Sequence, residues 1–298
     1  MQQLVKQLEE LGVEWERDCP LCQHSTFRIG GAADIAIFPQ SVQMLCRVLA
    51  LLKDKNIPTL VIGNASNVVF SDEGYRGAVV FTGKCREVKT EDDRIVADVG
   101  ISLSALSVIA RDAELSGLEF AFGIPGTLGG AVYMNAGAYG GSMSDVCISS
   151  TYYDLKTCQI GRLIGSEQAF DYRTSVYQKH PEWIVLGATL ELQKGNREAI
   201  AETMGKYKEK RHATQPLEKP NAGSVFKRPE GHFAGKLIED CGLKGLTVGG
   251  AQVSQKHAGF IVNIGGATCE DVKRLSEQIR ATVLQQTGVD LECEIKFL

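Results

Sequence analysis

Alternating and helical patterns of hydrophobic residues divide the chain into strands and helices. Residues 25–41, STFRIGGAADIAIFPQS, alternate apolar and polar side chains, which predicts strands around a tight glycine turn. Residues 42–56, VQMLCRVLALLKDKN, have the period of an amphipathic helix, and residues 58–72, PTLVIGNASNVVFSD, predict a strand, a glycine-containing turn and a second strand. The first 18 residues predict a charged amphipathic helix.

The remainder of the chain continues this mixture. Short β-branched segments predict strands at GAVVFTG (77–83), RIVADVG (94–100), VCISSTYYD (146–154) and WIVLGATLEL (183–192). Helical periodicity predicts helices at ISLSALSVIARDAELSG (101–117), REAIAETMGKYKEKRHAT (197–214) and CEDVKRLSEQIRATVLQQTG (269–288). Because strands and helices do not alternate strictly, the pattern predicts an α+β fold.

Length and charge narrow the classes of protein. With 298 residues the chain is long enough for two or three domains. It carries 32 basic and 36 acidic residues, a net charge of −4, which argues against a nucleic-acid partner. No apolar run reaches the roughly 18 residues of a membrane span, and the charged N-terminal helix is unlike a secretory signal. We therefore expect a soluble, cytoplasmic protein without membrane insertion.

The cysteines are odd in number and scattered. Nine cysteines without an export signal predict free thiols in a reducing compartment. Cys19 and Cys22 form a C-x-x-C pair, a spacing that suits zinc or thiol redox chemistry. A structural zinc site needs two further ligands, and His24 is the only close candidate, so we predict no metal. A metal or thiol-redox protein remains an alternative, for which a double Cys→Ser variant would lose activity.

A glycine-rich run, GIPGTLGGAVYMNAGAYGG, gives the strongest chemical signal. Its glycines are Gly123, Gly126, Gly129, Gly130, Gly137, Gly140 and Gly141. Such a backbone can adopt positive φ and expose N–H groups, as a bound diphosphate requires, although tight packing of turns would also explain it. Two more glycine turns, RIGG (28–31) and GNASN (63–67), favour one large phosphate-bearing ligand. The spacing excludes the ordinary NAD and ATP cradles.

Several motifs, in order over essentially the whole chain, resemble the UDP-N-acetylenolpyruvoylglucosamine reductase family. They are TFRIGGAAD (26–34), GNASN, the glycine-rich run, YR (172–173), NAGSVFK (221–227) and ECEIKF (292–297). The family makes UDP-N-acetylmuramate for bacterial peptidoglycan. The resemblance implies a two-lobed FAD-binding domain of the vanillyl-alcohol-oxidase (PCMH) type over residues 1–195, with lobes at about 1–72 and 73–195. It also implies an α+β substrate-binding domain over residues 196–298, whose last residues return to the active site.

The resemblance further implies that FAD is bound without a covalent link and that NADPH is the co-substrate. The residues that would bind FAD are Gly63, Asn64, Ala65, Ser66, Asn67, Gly123, Ile124, Pro125, Gly126, Thr127, Gly130, Ala131, Asn135, Ala136 and Gly137. Ala65 departs from the family pattern, which has glycine there. If this position needs positive φ, the Cβ costs about 1 kcal/mol and weakens FAD binding.

For catalysis, the resemblance points to Arg173, Ser224 and Glu294. Reduced flavin N5 would deliver hydride to C3 of the enolpyruvyl ether, and Ser224 would protonate C2. Arg173 and Glu294 would stabilise the carboxylate of the intermediate, Arg173 through its planar fork and Glu294 in a protonated or hydrogen-bonded form. Each residue also has a structural interpretation when it is taken singly. Arg173 would be part of a surface ion pair, Ser224 a turn residue or helix cap, and Glu294 a solvated charge on a terminal strand.

Substrate contacts are predicted from the same motifs and from polar residues of the C-terminal zone. They are Tyr172, Arg211, Gln215, Asn221, Lys227, Arg228 and His257, since a UDP-sugar needs cations and hydrogen-bond donors. His257 could equally be a structural histidine. The predicted partners are UDP-N-acetylglucosamine enolpyruvate and NADPH.

Some family members insert a tyrosine-bearing loop and a small βαββ unit before the helix at residue 197. This chain passes almost directly from strand to helix, as in the shorter form of the enzyme. Two alternatives of another class remain open: an FAD-dependent oxidase of the same fold acting on a different substrate, and a binding module without NADPH turnover. The sequence leaves the oligomeric state undetermined.

Overall fold

The structure is a computed structural model that describes residues 2–298. Its helices are α1 (Gln2–Leu11), α2 (Val42–Asp54), α3 (Leu103–Asp112), α4 (Leu128–Met134), α5 (Arg197–Thr214), α6 (Ala234–Asp240) and α7 (Cys269–Thr287). The first strands are β1 (Glu14–Pro20), β2 (Ala32–Phe38), β3 (Thr59–Ile62), β4 (Val68–Val69), β5 (Tyr75–Phe81), β6 (Val88–Glu91), β7 (Arg94–Asp98), β8 (Leu115–Ser116), β9 (Gly137–Ala138) and β10 (Gly141–Ser142). The others are β11 (Cys147–Asp154), β12 (Gln159–Ile164), β13 (Trp183–Glu191), β14 (Gln193–Lys194), β15 (Asn221–Ser224), β16 (Thr247–Val248), β17 (Ala251–Val253), β18 (Phe260–Asn263) and β19 (Lys296–Phe297).

The chain divides into two compact units, each assembled from three separate segments. The first unit contains residues 1–17, 35–64 and 77–209, and the second contains residues 18–34, 65–76 and 210–298. The predicted domain boundary between residues 195 and 196 remains a prediction.

The first unit is built around an antiparallel sheet with the strand order β12-β11-β13-β7-β6. Strands β3 and β5 pair in parallel, and helix α2 connects β2 to β3. The apolar face of α2 is fully buried in the core of this unit through Leu45, Val48, Leu49 and Leu52. Burying each of these side chains contributes about 1.5–3 kcal/mol, which makes α2 a principal support of the first unit.

The second unit has a smaller sheet and its own core. Its strand order is β15-β18-β17-β16, and β19 pairs in parallel with β4. Helix α7 buries Val272, Leu275, Ile279 and Val283 along one face. Thr268 and Asp271 form a capping box at its start and Gly288 ends it at φ +74°, so the sequence defines both ends of the helix.

Three sequence-based expectations for secondary structure were wrong. The predicted N-terminal helix ends at Leu11 because Gly12 takes φ +68°, and Glu14 begins a strand instead. Residues 25–31 form no strand, although a strand was predicted on each side of the RIGG turn; only β2 follows it. No helix was predicted in the glycine-rich run, which contains helix α4 although its glycines disfavour a helix by propensity. Gly129 of that helix has its Cα so close to Val99 that a Cβ would lie 2.2 Å from the Val99 side chain, and this packing outweighs the propensity.

Candidate active site

In the first unit, the start of the GNASN turn is joined to the glycine-rich run. The amide of Asn64 donates a hydrogen bond to the Pro125 carbonyl at 3.0 Å. A Cβ on Gly63 would lie 2.2 Å from Thr127 Oγ1, so only glycine allows this close approach. The hydroxyl of Thr127 in turn accepts a hydrogen bond from the Gly130 N–H and begins α4. These contacts bring together five of the predicted FAD residues.

In the second unit, the rest of that turn has the geometry expected of an anion site. Ala65 is buried and takes φ +47°. This is the left-handed conformation, in which the Cβ of a residue other than glycine is expected to cause strain. Within residues 2–298, the backbone N–H groups of Ala65, Ser66 and Asn67 donate to no protein acceptor. Consecutive free N–H groups at a positive-φ residue form a concave anion-binding surface, so these residues fit one side of a diphosphate.

We expect Ala65→Gly to keep full turnover and to hold FAD as well as or better than the parent protein. Glycine removes the left-handed strain of about 1–2 kcal/mol but adds chain entropy worth about 0.5–1 kcal/mol to the unfolded state. The dissociation constant of FAD, measured by flavin fluorescence, checks this. Ala169→Gly is the matched control and should leave FAD binding unchanged, because Ala169 also takes a left-handed conformation, at φ +44°, but is exposed and is not a predicted FAD residue. A clear loss of FAD from Ala65→Gly would show that the backbone is relaxed there.

Many N–H groups of the glycine-rich run are already used within the first unit. Gly129 donates to the Val99 carbonyl, and Ala131, Asn135 and Ala136 donate within or just beyond α4. Cβ atoms on Gly137 and Gly141 would lie 2.6 Å from the Gly141 carbonyl and 2.7 Å from the Phe120 ring. Tight packing therefore explains several of these glycines. Gly130 differs, because a Cβ there would meet only Thr127 Oγ1, at 3.8 Å, and the space beside it is open for a ligand.

Arg173 is held against the same run. Its backbone takes φ +55°, and its guanidinium donates to the Gly137 carbonyl at 3.0 Å and lies 5.2 Å from the Tyr172 ring centroid. Asn135 fixes the segment before it, since its amide donates to the Asp171 carbonyl at 3.0 Å. Arg173 is therefore a half-buried, positioned cation rather than a freely mobile surface side chain. Tyr172 is 49% exposed.

Ser224 is the last residue of β15, where a bulge at Gly223 with φ +78° separates it from Asn221. It pairs with Phe260 on β18 and is half-buried. Its hydroxyl makes no hydrogen bond to any protein group within residues 2–298, and α6 begins after Phe233, so Ser224 is not the cap of that helix. An unengaged, half-buried hydroxyl is free to donate a proton to a substrate.

Glu294 lies beside Ser224 in the second unit. Its N–H donates to the carbonyl of Val225, the residue after Ser224, at 2.7 Å, and its carbonyl accepts from the Asn67 amide at 3.3 Å. Thr26 completes the link, since its hydroxyl donates to the Asn221 carbonyl at 2.8 Å and approaches the Ala65 carbonyl at 3.4 Å. The turn at Ala65, the NAGS strand and the tail thus form one hydrogen-bonded group.

Two predicted substrate residues form a polar pair with an unsatisfied donor. Arg211 donates from a terminal nitrogen to Gln215 Oε1 at 3.3 Å, whereas its Nε is buried without a partner in the described chain. A buried guanidinium N–H without an acceptor is costly, so an anionic group placed there would stabilise the site.

Lys227 and Arg228 are already engaged on the surface of the second unit. Lys227 forms an ion pair with Glu292 at 2.5 Å, and the guanidinium of Arg228 stacks 4.0 Å from the centroid of the exposed Phe233 ring. Both cations still face solvent on part of their surface, so a phosphate could share them.

Asn221 and His257 have structural roles in the second unit. The Asn221 side chain accepts from the Gly223 N–H and donates to the Lys219 carbonyl at 2.8 Å, which shapes the NAGS turn. His257 Nδ1 accepts from the Gly259 N–H at 3.1 Å, and burial lowers the pKa of the imidazole, which favours its neutral form. The structural interpretation of His257 explains both observations.

The two cysteines of the C-x-x-C pair differ in burial, because Cys19 is buried and Cys22 is half-buried. Cys19 is fully buried and its Sγ lies within 4.8 Å of a His24 ring nitrogen, but Cys22 does not join this group. All nine cysteines are free thiols. Two residues that were not predicted as site residues also support the site. Thr26 donates to the distant Asn221 carbonyl, and Gln178 donates to the nearby Arg173 carbonyl at 2.9 Å. Among residues 2–298, no helix is long and apolar enough to cross a membrane.

Comparisons with known proteins match both parts of the chain. Residues 33–159 match the FAD binding domain model, and residues 215–298 match the model of the C-terminal domain of UDP-N-acetylenolpyruvoylglucosamine reductase. The reductase of Caldanaerobacter subterraneus subsp. tengcongensis is 47% identical over 94% of this chain and 92% of its own length. The reductase of Pediococcus pentosaceus is 44% identical over the same shares.

Solved structures agree with these matches. The crystal structure of the reductase from Thermus caldophilus is similar with a TM-score of 0.78 and 33% identity, covering 96% of this chain and 98% of that one. Physcomitrella patens BBE-like 1 shares the fold alone, with a TM-score of 0.50 and 13% identity over 64% of this chain. The predicted α+β fold, with an FAD-binding domain of the vanillyl-alcohol-oxidase type and a C-terminal α+β domain, is thereby confirmed. By sequence over nearly its full length and by fold, the chain belongs to the UDP-N-acetylenolpyruvoylglucosamine reductase family.

Proposed function

We propose that the protein reduces the enolpyruvyl ether of UDP-N-acetylglucosamine enolpyruvate to UDP-N-acetylmuramate with electrons from NADPH. The observation that carries this proposal is the unengaged, half-buried Ser224 hydroxyl, on a strand tied through Thr26 to the turn at Ala65 and through Val225 to Glu294. A proton donor on a strand that is bonded to the backbone of Glu294 and to an anion-binding turn suits the reduction of a conjugated carboxylate. The nine free thiols are consistent with a cytoplasmic location.

When bound, FAD would take electrons from NADPH and supply a hydride to C3 of the enolpyruvyl group. Ala65, Ser66 and Asn67 would hold a phosphate through their backbone N–H groups. In the first unit, the open space at Gly130 and the Asn64 side chain on Pro125 would shape a further part of the FAD site. The remaining predicted residues of the run would contribute backbone shape, because many of their N–H groups are engaged.

Ser224 would donate its proton to C2 of the substrate. A hydroxyl is a weak acid in water, but C2 becomes strongly basic as hydride arrives at C3, so position matters more than acidity. The strand pairing of Ser224 with Phe260 fixes that position.

Arg173 and Glu294 would hold the substrate carboxylate as negative charge develops on it. The guanidinium of Arg173 is positioned by its hydrogen bond to the Gly137 carbonyl, and its planar fork suits a carboxylate. Glu294 would act protonated or as a hydrogen-bond partner, because an ionised carboxylate would repel the developing charge. The buried Nε of Arg211 would find its missing acceptor on a phosphate of the UDP group.

One experiment tests the proposal as a whole. The purified protein should be yellow, should bleach anaerobically with NADPH, and should regain its colour when UDP-N-acetylglucosamine enolpyruvate is added. Rapid recovery of colour with oxygen and none with the enolpyruvyl compound would identify an oxidase instead. Tight binding of FAD and of the nucleotide sugar without NADPH oxidation would identify a binding module.

The flavin should be released without breaking a covalent bond. Residues 63–67 contain neither histidine nor cysteine, the side chains through which flavins are commonly attached. Acid precipitation of the yellow protein should therefore leave the flavin absorbance in the supernatant. Yellow colour that stays in the washed pellet would contradict this expectation.

A further inference from the structure

A cavity of about 390 Å³ lies in the second unit between α7 and residues 290–297. This volume is within the range of small-molecule sites in proteins. Neither Ser224 nor Glu294 lines it. The cavity is therefore distinct from the group of residues proposed for catalysis, and the inference below does not rest on the proposed function.

Ser276 of α7 lines this cavity with an unsatisfied hydroxyl. The residue is 6% exposed, and its Oγ is buried with no hydrogen-bond partner in the described chain. Helical hydroxyls usually donate to the carbonyl four residues earlier, as Thr282 and Thr287 of the same helix do at 2.8 Å. Leaving a buried hydroxyl unpaired is unfavourable, so Ser276 indicates a group that belongs in the cavity.

Two opposite charges flank Ser276 on the same helix. Lys273 and Glu277 both line the cavity and are four residues apart, a spacing that places them on one helix face. Within residues 2–298, neither has an oppositely charged partner within 4.0 Å; the Lys273 ammonium lies 5.7 Å from the Phe297 ring centroid. By contrast, the other charged residues that line the cavity are paired: Arg280 forms a bidentate ion pair with Asp290 at 2.6 Å, and Glu292 pairs with Lys227.

The inner part of the cavity is apolar. Phe226 and Leu291 are buried at 4% and 1% exposure, and Phe297 lies beside them on β19. A flat ring placed among these side chains would lose contact with water and gain aromatic contacts. Cys293 also lines the cavity, so its thiol reports on occupancy.

We propose that this cavity binds a zwitterionic aromatic amino acid. Lys273 takes the carboxylate, Glu277 takes the ammonium group, Ser276 completes the hydrogen bonds, and the ring lies against Phe226 and Phe297. An amino acid satisfies both flanking charges at once, whereas a simple carboxylate would leave Glu277 near a like charge.

Three probes that share one ring test the proposal on the full-length protein. L-phenylalanine should bind with a dissociation constant on the order of 1 mM, as expected for a ligand of this size. Its relatives 3-phenylpropanoate and 2-phenylethylamine, which lack one charge each, should bind at least tenfold more weakly. Protein-detected NMR titration measures the three affinities. Equal binding of all three probes, or no binding of L-phenylalanine, overturns the proposal.

Alkylation of Cys293 gives a second reading of the same site. L-phenylalanine should slow the reaction of Cys293 with iodoacetamide. Peptide mass spectrometry measures the rate of this alkylation. Cys158 is exposed, lies outside the cavity and should react at an unchanged rate. Protection of both thiols would indicate a general effect on the protein and contradict the site.

Single substitutions assign the charges. Lys273→Met and Glu277→Gln should each weaken L-phenylalanine binding at least tenfold, whereas Arg274→Met, an exposed neighbour that does not line the cavity, should leave it unchanged. Ser276→Ala should weaken binding and keep or raise Tm, because it removes an unsatisfied buried hydroxyl. Unchanged affinity in Lys273→Met and Glu277→Gln would refute the assignment, even if Ser276→Ala failed to fold.

Discussion

Ser224→Ala is expected to leave reduction of the flavin by NADPH near the normal rate and to slow its reoxidation by the enolpyruvyl substrate about 10²- to 10⁴-fold. The substrate carbanion does not exist while NADPH reduces the flavin. Nothing therefore accepts a proton from Ser224 in that half-reaction. The hydroxyl is needed only when C2 of the substrate becomes basic. Anaerobic stopped-flow absorbance of the flavin measures both half-reactions separately.

The structure supplies the controls for this experiment. The Ser224 hydroxyl has no protein partner within residues 2–298, so its removal should not disturb the fold, and the flavin spectrum and Tm should stay unchanged. Ser224→Cys keeps a weak donor at the same place and should lose less activity than Ser224→Ala. Equal slowing of both half-reactions would indicate damaged flavin binding, and normal reoxidation would remove Ser224 from the mechanism.

Arg173→Lys should slow the same reoxidation step about 10²-fold or more, again with little effect on reduction by NADPH. Arginine can keep its hydrogen bond to the Gly137 carbonyl and still present its fork to a carboxylate. Lysine has one compact ammonium group and cannot do both with the same geometry. Because lysine keeps the positive charge, a large loss of reoxidation rate would show that the geometry of the guanidinium matters.

Arg162→Lys is the matched control for Arg173→Lys. Arg162 belongs to the same unit and also hydrogen-bonds a neighbour, Ser149, at 2.9 Å, but it lies on strand β12 outside the proposed site. The Arg162→Lys variant should show normal rates in both half-reactions. If Arg173→Lys matched this control, the guanidinium would have no role in holding the carboxylate.

The sequence was most informative where local periodicity and packing agree. Helix α5 begins and ends where its pattern predicts, and α2 and α7 differ from the predicted segments only at their ends. Helix α4 could not be predicted, because contact of Gly129 with Val99 overrides the low helix propensity of glycine. The left-handed conformation of Ala65, in contrast, was suggested by one departure from a glycine pattern, and the residue takes φ +47°.

The candidate site was likewise predictable from the sequence only in part. The motifs indicate which residues to examine, but the role of Thr26 depends on bonds to residues 39 and 195 positions away, which no local pattern shows. Likewise, the sequence suggested a possible substrate role for His257, whereas its hydrogen bond to Gly259 and its lowered pKa explain the residue without a ligand. Such roles arise only from tertiary contacts.

The interleaved course of the chain has a consequence for biogenesis. Each compact unit is completed only by segments from distant parts of the sequence: residues 18–34 and 65–76 belong with residues 210–298. During synthesis the second unit must wait for the C-terminal third of the chain, and many of its contacts close long loops, which slows folding. A fragment that ends before residue 210 would leave residues 18–34 and 65–76 without the core that buries Phe27, Ile29 and Val69. Truncation should therefore produce an aggregation-prone chain rather than an isolated flavin domain, whereas insertions at exposed turns should be tolerated.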